Sequence, residues 1–389
     1  MSAAPRQPLS GFRVVDLTRV LSGPFATQML GDLGADVIKI EAPEGDSVRG
    51  QGAARDGMSW YFAGFNRNKR SIVLDLKSPE GKAALEALIK SADALVENFR
   101  PGVLTRLGFS EARLQELRPG LVTASISGFG ADGPYKDRPA FDFIAQAMSG
   151  FMSTNGREED PPLRAGPPIS DLVAGIYTAL GVTAALLGRE RHGGHEHVDV
   201  SMTSGMVSLL AYLASNYFAT GEIPVRSGND HPIAAPYGLF KTRDEPIAVA
   251  PNDDVFFGRL MDALGLSHLK ADPEFASNPL RVKNRARLNA AVEAVLVQNT
   301  QAHWIELING AGIPCGPVHG LAGVFDDPQI KHQQMALDIP HPGHGTVRVL
   351  GFPMKFAEAP CQVRYPAPDL GQHTAEVLAE VGLEPPHVG

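Results

Sequence analysis

At 389 residues the chain exceeds the length at which one hydrophobic core stops growing, so two domains are expected. Hydrophobic residues at 43% and charged residues at 20% fit a globular enzyme, and a net charge of −8 argues against a nucleic-acid surface built on basic excess. Cys315 and Cys361 and the scattered histidines offer neither a disulfide framework nor a metal-ligand set, and without a signal-like start or an apolar run of roughly 20 residues the expectation is a metal-free cytoplasmic protein.

RVVDL at 13–17 reads as a strand, Gly23-Pro24 opens a helix to residue 33, and 36–41 reads as the next strand after the Gly34 stop. That is a βαβ unit. The alternation continues with a strand at 71–76, a helix over 79–92, a strand at 94–99, helices to 117 and a strand at 121–127. It implies an α/β fold, a Rossmann-like parallel sheet with helices on both faces. No Gly-x-Gly-x-x-Gly follows the first strand, so the usual dinucleotide pyrophosphate site is not expected. A helix from 171, a strand over 195–202 and a helix over 204–218 complete a large domain spanning 1–220.

Residues 221–237, rich in Gly, Pro, Asn and Asp, read as a linker or active-site loop, and 228–236 is expected to cover a reaction centre. A strand at 247–250, helices near 255–264, 288–298 and 302–309 and a strand at 313–318 make a smaller α/β domain within 221–325. The segment 326–389, with a strand at 346–349 and a helix at 374–381, has too little apolar surface to stand alone. It is expected to return to the large domain.

Asp171 carries the functional argument. It follows the Pro- and Gly-broken stretch RAGPPIS at 164–170 and opens an apolar run in which Ile176, Leu180, Ala184 and Leu187 recur at helical spacing. The run reads as a buried helix with the aspartate in its first turn. There the free backbone N–H groups and the positive end of the helix dipole favour the ionised form, and an ionised carboxylate facing a ligand cavity is a nucleophile. Position alone favours a plain helix cap over a nucleophile.

Seven segments carry a family resemblance: RVVDLTRVLSGP at 13–24, LGADVIKIE at 33–41, NRNKRS at 66–71, DLKSPEG at 75–81, VENFRPG at 96–102, FDFIAQA at 141–147 and GIPCGPV at 312–318. In this order they resemble class III CoA-transferases, the family of formyl-CoA and carnitine CoA-transferases, with alpha-methylacyl-CoA racemases as relatives. The resemblance implies a Rossmann-like large domain, a smaller α/β domain and two chains interlocked as a homodimer. It lays Asp171 on the family's catalytic aspartate, with a coenzyme A thioester and a carboxylic acid as substrates and no tightly bound cofactor. CoA contacts then fall on Leu21, Ser22, Leu74, Asp75, Leu76, Lys77, Asn98, Phe99, Arg100 and Arg106. Of these, Lys77, Arg100 and Arg106 offer charge to the phosphates.

The departures narrow the chemistry. Phe141, just before Asp142, stands where the racemases place a histidine base, and a phenyl ring cannot exchange a proton. Formyl-CoA transferases match a tyrosine there, a glutamine at Leu21 and a glycine run near 228–232, and Ala42 replaces a basic residue often found after Glu41. The substrate pocket is expected to include Phe141 and Asp142; its apolar character around Leu21 and Phe141 implies an acid larger than formate, with Arg49, Arg138, Arg164 and His231 as candidates for a second carboxylate. The expectation is a succinyl-CoA-type donor and a short dicarboxylate acceptor. Two other readings stand beside it: an acyl-CoA isomerase, which Phe141 disfavours, and a catalytically silent CoA-binding subunit of a hetero-oligomer. The basic run at 66–70 has a minor reading as a nucleic-acid patch, and Cys315, between Pro314 and Gly316, reads as a packing residue rather than a nucleophile.

Overall fold

The computed structural model describes residues 6–384, which fall into two compact units, one comprising residues up to 151, 164–220 and 329 onward, the other 152–163 and 221–328. The first unit runs β1 (Arg13–Asp16), α1 (Ser22–Asp32), β2 (Asp36–Glu41), α2 (Trp60–Phe65), β3 (Lys69–Val73), α3 (Pro79–Lys90), β4 (Ala94–Glu97), α4 (Glu111–Leu117), β5 (Val122–Ser127), α5 (Asp142–Met148), α6 (Ile169–His192), β6 (His197–Ser201), α7 (Ala211–Thr220) and α8 (Thr374–Glu380). The six strands are parallel in the order β3-β2-β1-β4-β5-β6. The order reverses between β1 and β4, so the loops leaving these two strands diverge and open a crevice at the carboxyl edge of the sheet.

Alternate strand residues feed two cores. Val15, Ile38, Ile72 and Leu95 pack with α3, α4 and α8 on one face, while Val14, Val37, Val96 and Val122 pack with α1 and α6 on the other. α6 was expected to bury Ile176, Leu180, Ala184 and Leu187. The structure reverses this: those four are exposed, and the buried stripe is Ala174, Gly175, Thr178, Ala179, Val182 and Leu186. Small side chains face inward because α1 lies so close, and a Cβ on Gly175 would stand 2.8 Å from the Ser22 carbonyl oxygen. At 24 residues α6 is also long and apolar enough to cross a membrane by length and composition, contrary to the sequence reading, yet its inner face packs on α1 and the sheet.

Two more expectations need correction. The single helix over 204–218 is two, Met202–Ser208 and α7, broken where Ala211 takes φ +47° with no Gly or Pro to announce it. The basic run at 66–70 is internal: Arg67 pairs with Asp32 at 2.6 Å, Lys69 with Asp16 at 3.0 Å, and Arg70 with Asp36, Glu376 and Glu380. It is no nucleic-acid patch. The last of these pairs tie α8 to the sheet edge, while the hairpin of Ala336–His341 and Gly345–Leu350 packs Ile339, Val347 and Val349 onto Met58 and Phe62.

The second unit has an antiparallel sheet of Gly238–Phe240, Ile247–Val249 and Cys315–Pro317. Its core joins Ile247 and Val249 to Phe257, Leu260, Leu288, Val292, Trp304 and Ile308 from the covering helices. The loop expected to act as a cover is tied down within this unit, since the Arg285 guanidinium donates to the His231 and Ala234 carbonyls and the His231 amide to the Tyr237 carbonyl.

Candidate active site

Because α6 leads into a parallel strand, its N-terminus lies at the carboxyl edge of the sheet, on the same side as the loops after β1, β3 and β4. Asp171 is the third residue of that helix. The capping role that position alone allowed to Asp171 belongs to another residue. Asp142, in the first turn of α5, accepts hydrogen bonds from the Ser170 amide at 3.0 Å and the Ser170 hydroxyl at 2.8 Å, and Gln146 holds its other oxygen at 2.7 Å. Asp142 thus satisfies the helix start from outside.

Asp171 is half-buried one turn from Gly175, where α6 meets Ser22 at the start of α1. Burial pushes its carboxyl up to about 7, the Asp142 charge adds to the rise, and the Ser22 hydroxyl opposes it. The Tyr61 phenol on α2 is raised by its own burial and then by the negative charges of Asp171 and Asp46, which lie near enough to act on it. Its ring packs edge-on against Phe65 at 5.9 Å, and Phe65 against Phe25 of α1 at 5.8 Å. Asp142 was expected in the substrate pocket rather than as the acceptor at the start of α6, and Tyr61 carried no sequence signal.

The residues expected at CoA gather along the same edge. Leu21 and Ser22 are buried at the start of α1, Leu74 is buried just after β3, and the Asp75 carboxylate accepts the Lys77 amide at 2.9 Å to close that turn. After β4, Asn98 clasps the loop from β1 across the switch point, accepting from the Arg19 amide at 2.9 Å and donating to its carbonyl at 2.7 Å. Lys77, Arg100 and Arg106 are exposed beside Leu76 and Phe99. Phe99 also borders a cavity of about 300 Å³ on the sheet face away from α6, where burial raises Glu97 to about 7.

The candidates for a second carboxylate fare differently. Arg49 is committed inside the fold, gripping Glu41 at 2.6 and 2.8 Å and stacking on Phe62 with its guanidinium 3.6 Å from the ring centre, so it is withdrawn as a substrate ligand. Arg138 is exposed and stacks on Tyr135, and Arg164 is exposed and donates to the Ala165 and Gly166 carbonyls. His231 belongs to the second unit, against Tyr237. Phe141, 77% exposed, stands immediately before Asp142.

A doubly wound parallel sheet with a half-buried, raised carboxylate at its carboxyl edge is the plan of an α/β enzyme. The profile of CoA-transferase family III matches residues 9–374, and the chain belongs to that family. It is 42% identical over 357 residues to acetyl-CoA:oxalate CoA-transferase of Acetobacter aceti, covering 91% of this chain and 90% of that one. With succinate–glutarate CoA-transferase of Agrobacterium fabrum it shares 36% over 384 residues, 97% and 96% of the two chains. A CaiB/BaiF family protein from Brucella suis superimposes with a TM-score of 0.86 at 37% identity, covering 97% of this chain and 100% of that one.

Proposed function

We propose that this enzyme transfers CoA from a succinyl-CoA-type thioester to a short dicarboxylic acid in the cytoplasm, with Asp171 as covalent nucleophile. The observation that carries the reading is the division between the two aspartates: Asp142 caps α6, which leaves Asp171 free to react. The Asp171 carboxylate attacks the thioester carbonyl and expels CoA thiolate, giving an aspartyl mixed anhydride. The thiolate then attacks the aspartyl carbonyl, releasing the donor acid and leaving an aspartyl-CoA thioester. The acceptor carboxylate attacks that thioester and expels CoA thiolate, and the thiolate takes the acceptor acyl group from the second anhydride, restoring Asp171.

CoA lies along the loops after β1, β3 and β4, with Lys77, Arg100 and Arg106 offering charge to its phosphates and Leu21, Leu74 and Phe99 offering apolar surface. Arg138, Arg164 and His231 remain candidates for the far carboxylate of a diacid. The relatives named for glutarate and for oxalate both act on dicarboxylates, which supports this acceptor class. The working unit is a homodimer.

The test supplies succinyl-CoA without acceptor and adds hydroxylamine. We expect a hydroxamate on the Asp171 side chain and on no other residue, and a loss of transfer on the order of 10⁴-fold or more in Asp171→Ala with CoA binding retained. Transfer that proceeds while the wild-type peptide stays unmodified would overturn the covalent mechanism.

A further inference from the structure

Residues 17–21, between β1 and α1, form a turn whose backbone is held by side chains from elsewhere. The Thr18 amide donates to Asp16 at 2.9 Å, the Thr18 carbonyl accepts from Lys39 Nζ at 2.8 Å, and both Arg19 backbone groups bond to Asn98. The Val20 amide lies 3.1 and 3.2 Å from the two carboxylate oxygens of Asp46. Val20 is strained there, since its φ is +70° and a β-branched side chain crowds its own backbone in the left-handed region.

Asp46 and Lys39 form a pair 3.0 Å apart, with side chains 1% and 0% exposed. Enclosing two charges is no general source of stability, so the pair calls for a conformational reason. Its bonds supply one: Lys39 holds the Thr18 carbonyl and Asp46 the Val20 amide, two points of one turn. That turn ends at Leu21, and the next residue is Ser22, which packs against α6 one turn from Asp171 and whose hydroxyl favours the ionised carboxylate there. Turn and helix are pressed together, because a Cβ on Gly23 would stand 2.3 Å from Thr18. The Ser22 hydroxyl therefore has little freedom to find Asp171 from any other turn conformation.

We infer that Asp46, backed by Lys39, is a positioning residue for the reaction: it clamps Val20 in its left-handed conformation and so fixes the turn that delivers the Ser22 hydroxyl to Asp171. The inference rests on the reading of Asp171 as nucleophile, and neither Asp46 nor Lys39 need touch substrate. Loosening the clamp withdraws Ser22, which weakens support for the ionised carboxylate and makes Asp171 hold its proton to higher pH. Simple loss of a negative charge at Asp46 acts in the opposite direction, so the sign separates the two effects. The other groups facing Asp171, namely Asp142 of α5 and the Tyr61 phenol of α2, stay in place.

The experiment follows the Asp171 carboxyl in unliganded protein by carbon-13 NMR across pH, with Asp171→Asn identifying the signal. Asp46→Ala, which removes the acceptor of the Val20 amide, and Ser22→Ala are each expected to move its midpoint upward by about half a unit, roughly threefold in proton affinity. The double variant should move no further than the larger single change, and adding Val20→Gly to Asp46→Ala should restore the midpoint, since glycine adopts φ +70° without a clamp. Lys39→Met with Asp46→Ala removes both buried charges and serves as the second variant where Asp46→Ala alone fails to fold, with the same upward shift expected. A folded variant with an unchanged or lowered midpoint, or shifts that add in the double variant, would overturn the inference. The titration uses no substrate, so it decides the positioning role even where hydroxylamine finds no adduct, a result that counts against the transferase reading alone.

Discussion

Asp171 keeps its proton to about pH 7 because burial and the neighbouring Asp142 charge both oppose its ionisation, against the pull of the Ser22 hydroxyl. An ionised carboxylate with so high an affinity for a proton is a stronger nucleophile than an ordinary aspartate, at the cost of being half-protonated at neutral pH. The rate of adduct formation should therefore rise with pH through about 7. In Asp142→Asn the amide oxygen can still accept from Ser170, while the like charge is gone, so the acid limb should move to lower pH with the fold retained; a limb that stays put would show that Asp142 acts on α6 alone. The same shift is a stability statement. A folded value raised from 3.8 to about 7 favours the native state below pH 4 and loses that contribution as pH climbs through 7. Asp171→Asn should thus match the wild type in thermal denaturation near pH 4 and exceed it at pH 8 by roughly 2 kcal/mol, a figure discounted for the residue's partial exposure.

Among the elements, α1 and α6 decide where the reacting carboxylate sits. They approach closely enough that Gly175 leaves 2.8 Å between a would-be Cβ and the Ser22 carbonyl, one turn along α6 from Asp171. Gly175→Ala must push α1 away, with an expected cost of about 1–3 kcal/mol in denaturant titration. Transfer should fall by more than that cost explains, because Ser22 moves with α1; full activity in the folded variant would mean the contact tolerates displacement. The strand and helix periods at 13–41 and 79–127 made the parallel sheet legible from sequence, since alternation of β and α units with short connections leaves few topologies. Asp171 was legible as a first-turn carboxylate for the same local reason. What the sequence hid was set by contacts far apart in the chain. The capping of Ser170 by Asp142 spans 28 positions, and Arg49, an apparent substrate ligand, is held inside the fold by Glu41 and by the Pro368 carbonyl 319 positions on. The face of α6 was misread for a related reason: large apolar residues at helical spacing look like a buried stripe, whereas close approach of α1 demanded the small ones.

For the whole molecule, that exposed stripe becomes the argument for assembly. Ile176, Leu180 and Leu187 on α6 are half or more exposed, at 50%, 62% and 52%, and Phe218 on α7 stands at 80%. Large apolar side chains set at regular intervals along a core helix are what a protein–protein interface presents in an isolated chain. Lys and Glu would fill these positions if water were the final neighbour. The covering surface we expect is a second copy, in keeping with the interlocked pair that the family resemblance implies. Sedimentation velocity of the wild type should give a dimer that persists on dilution into the nanomolar range and dissociates only with unfolding. Leu180→Arg, which plants a charge in the middle of the stripe, should lower the thermal midpoint or yield monomer, whereas a surface position on a free chain would change stability by no more than about 0.5 kcal/mol. A wild-type protein that sediments as a folded, active monomer, together with a neutral Leu180→Arg, would leave the stripe as ordinary surface and remove the dimer from the proposed mechanism.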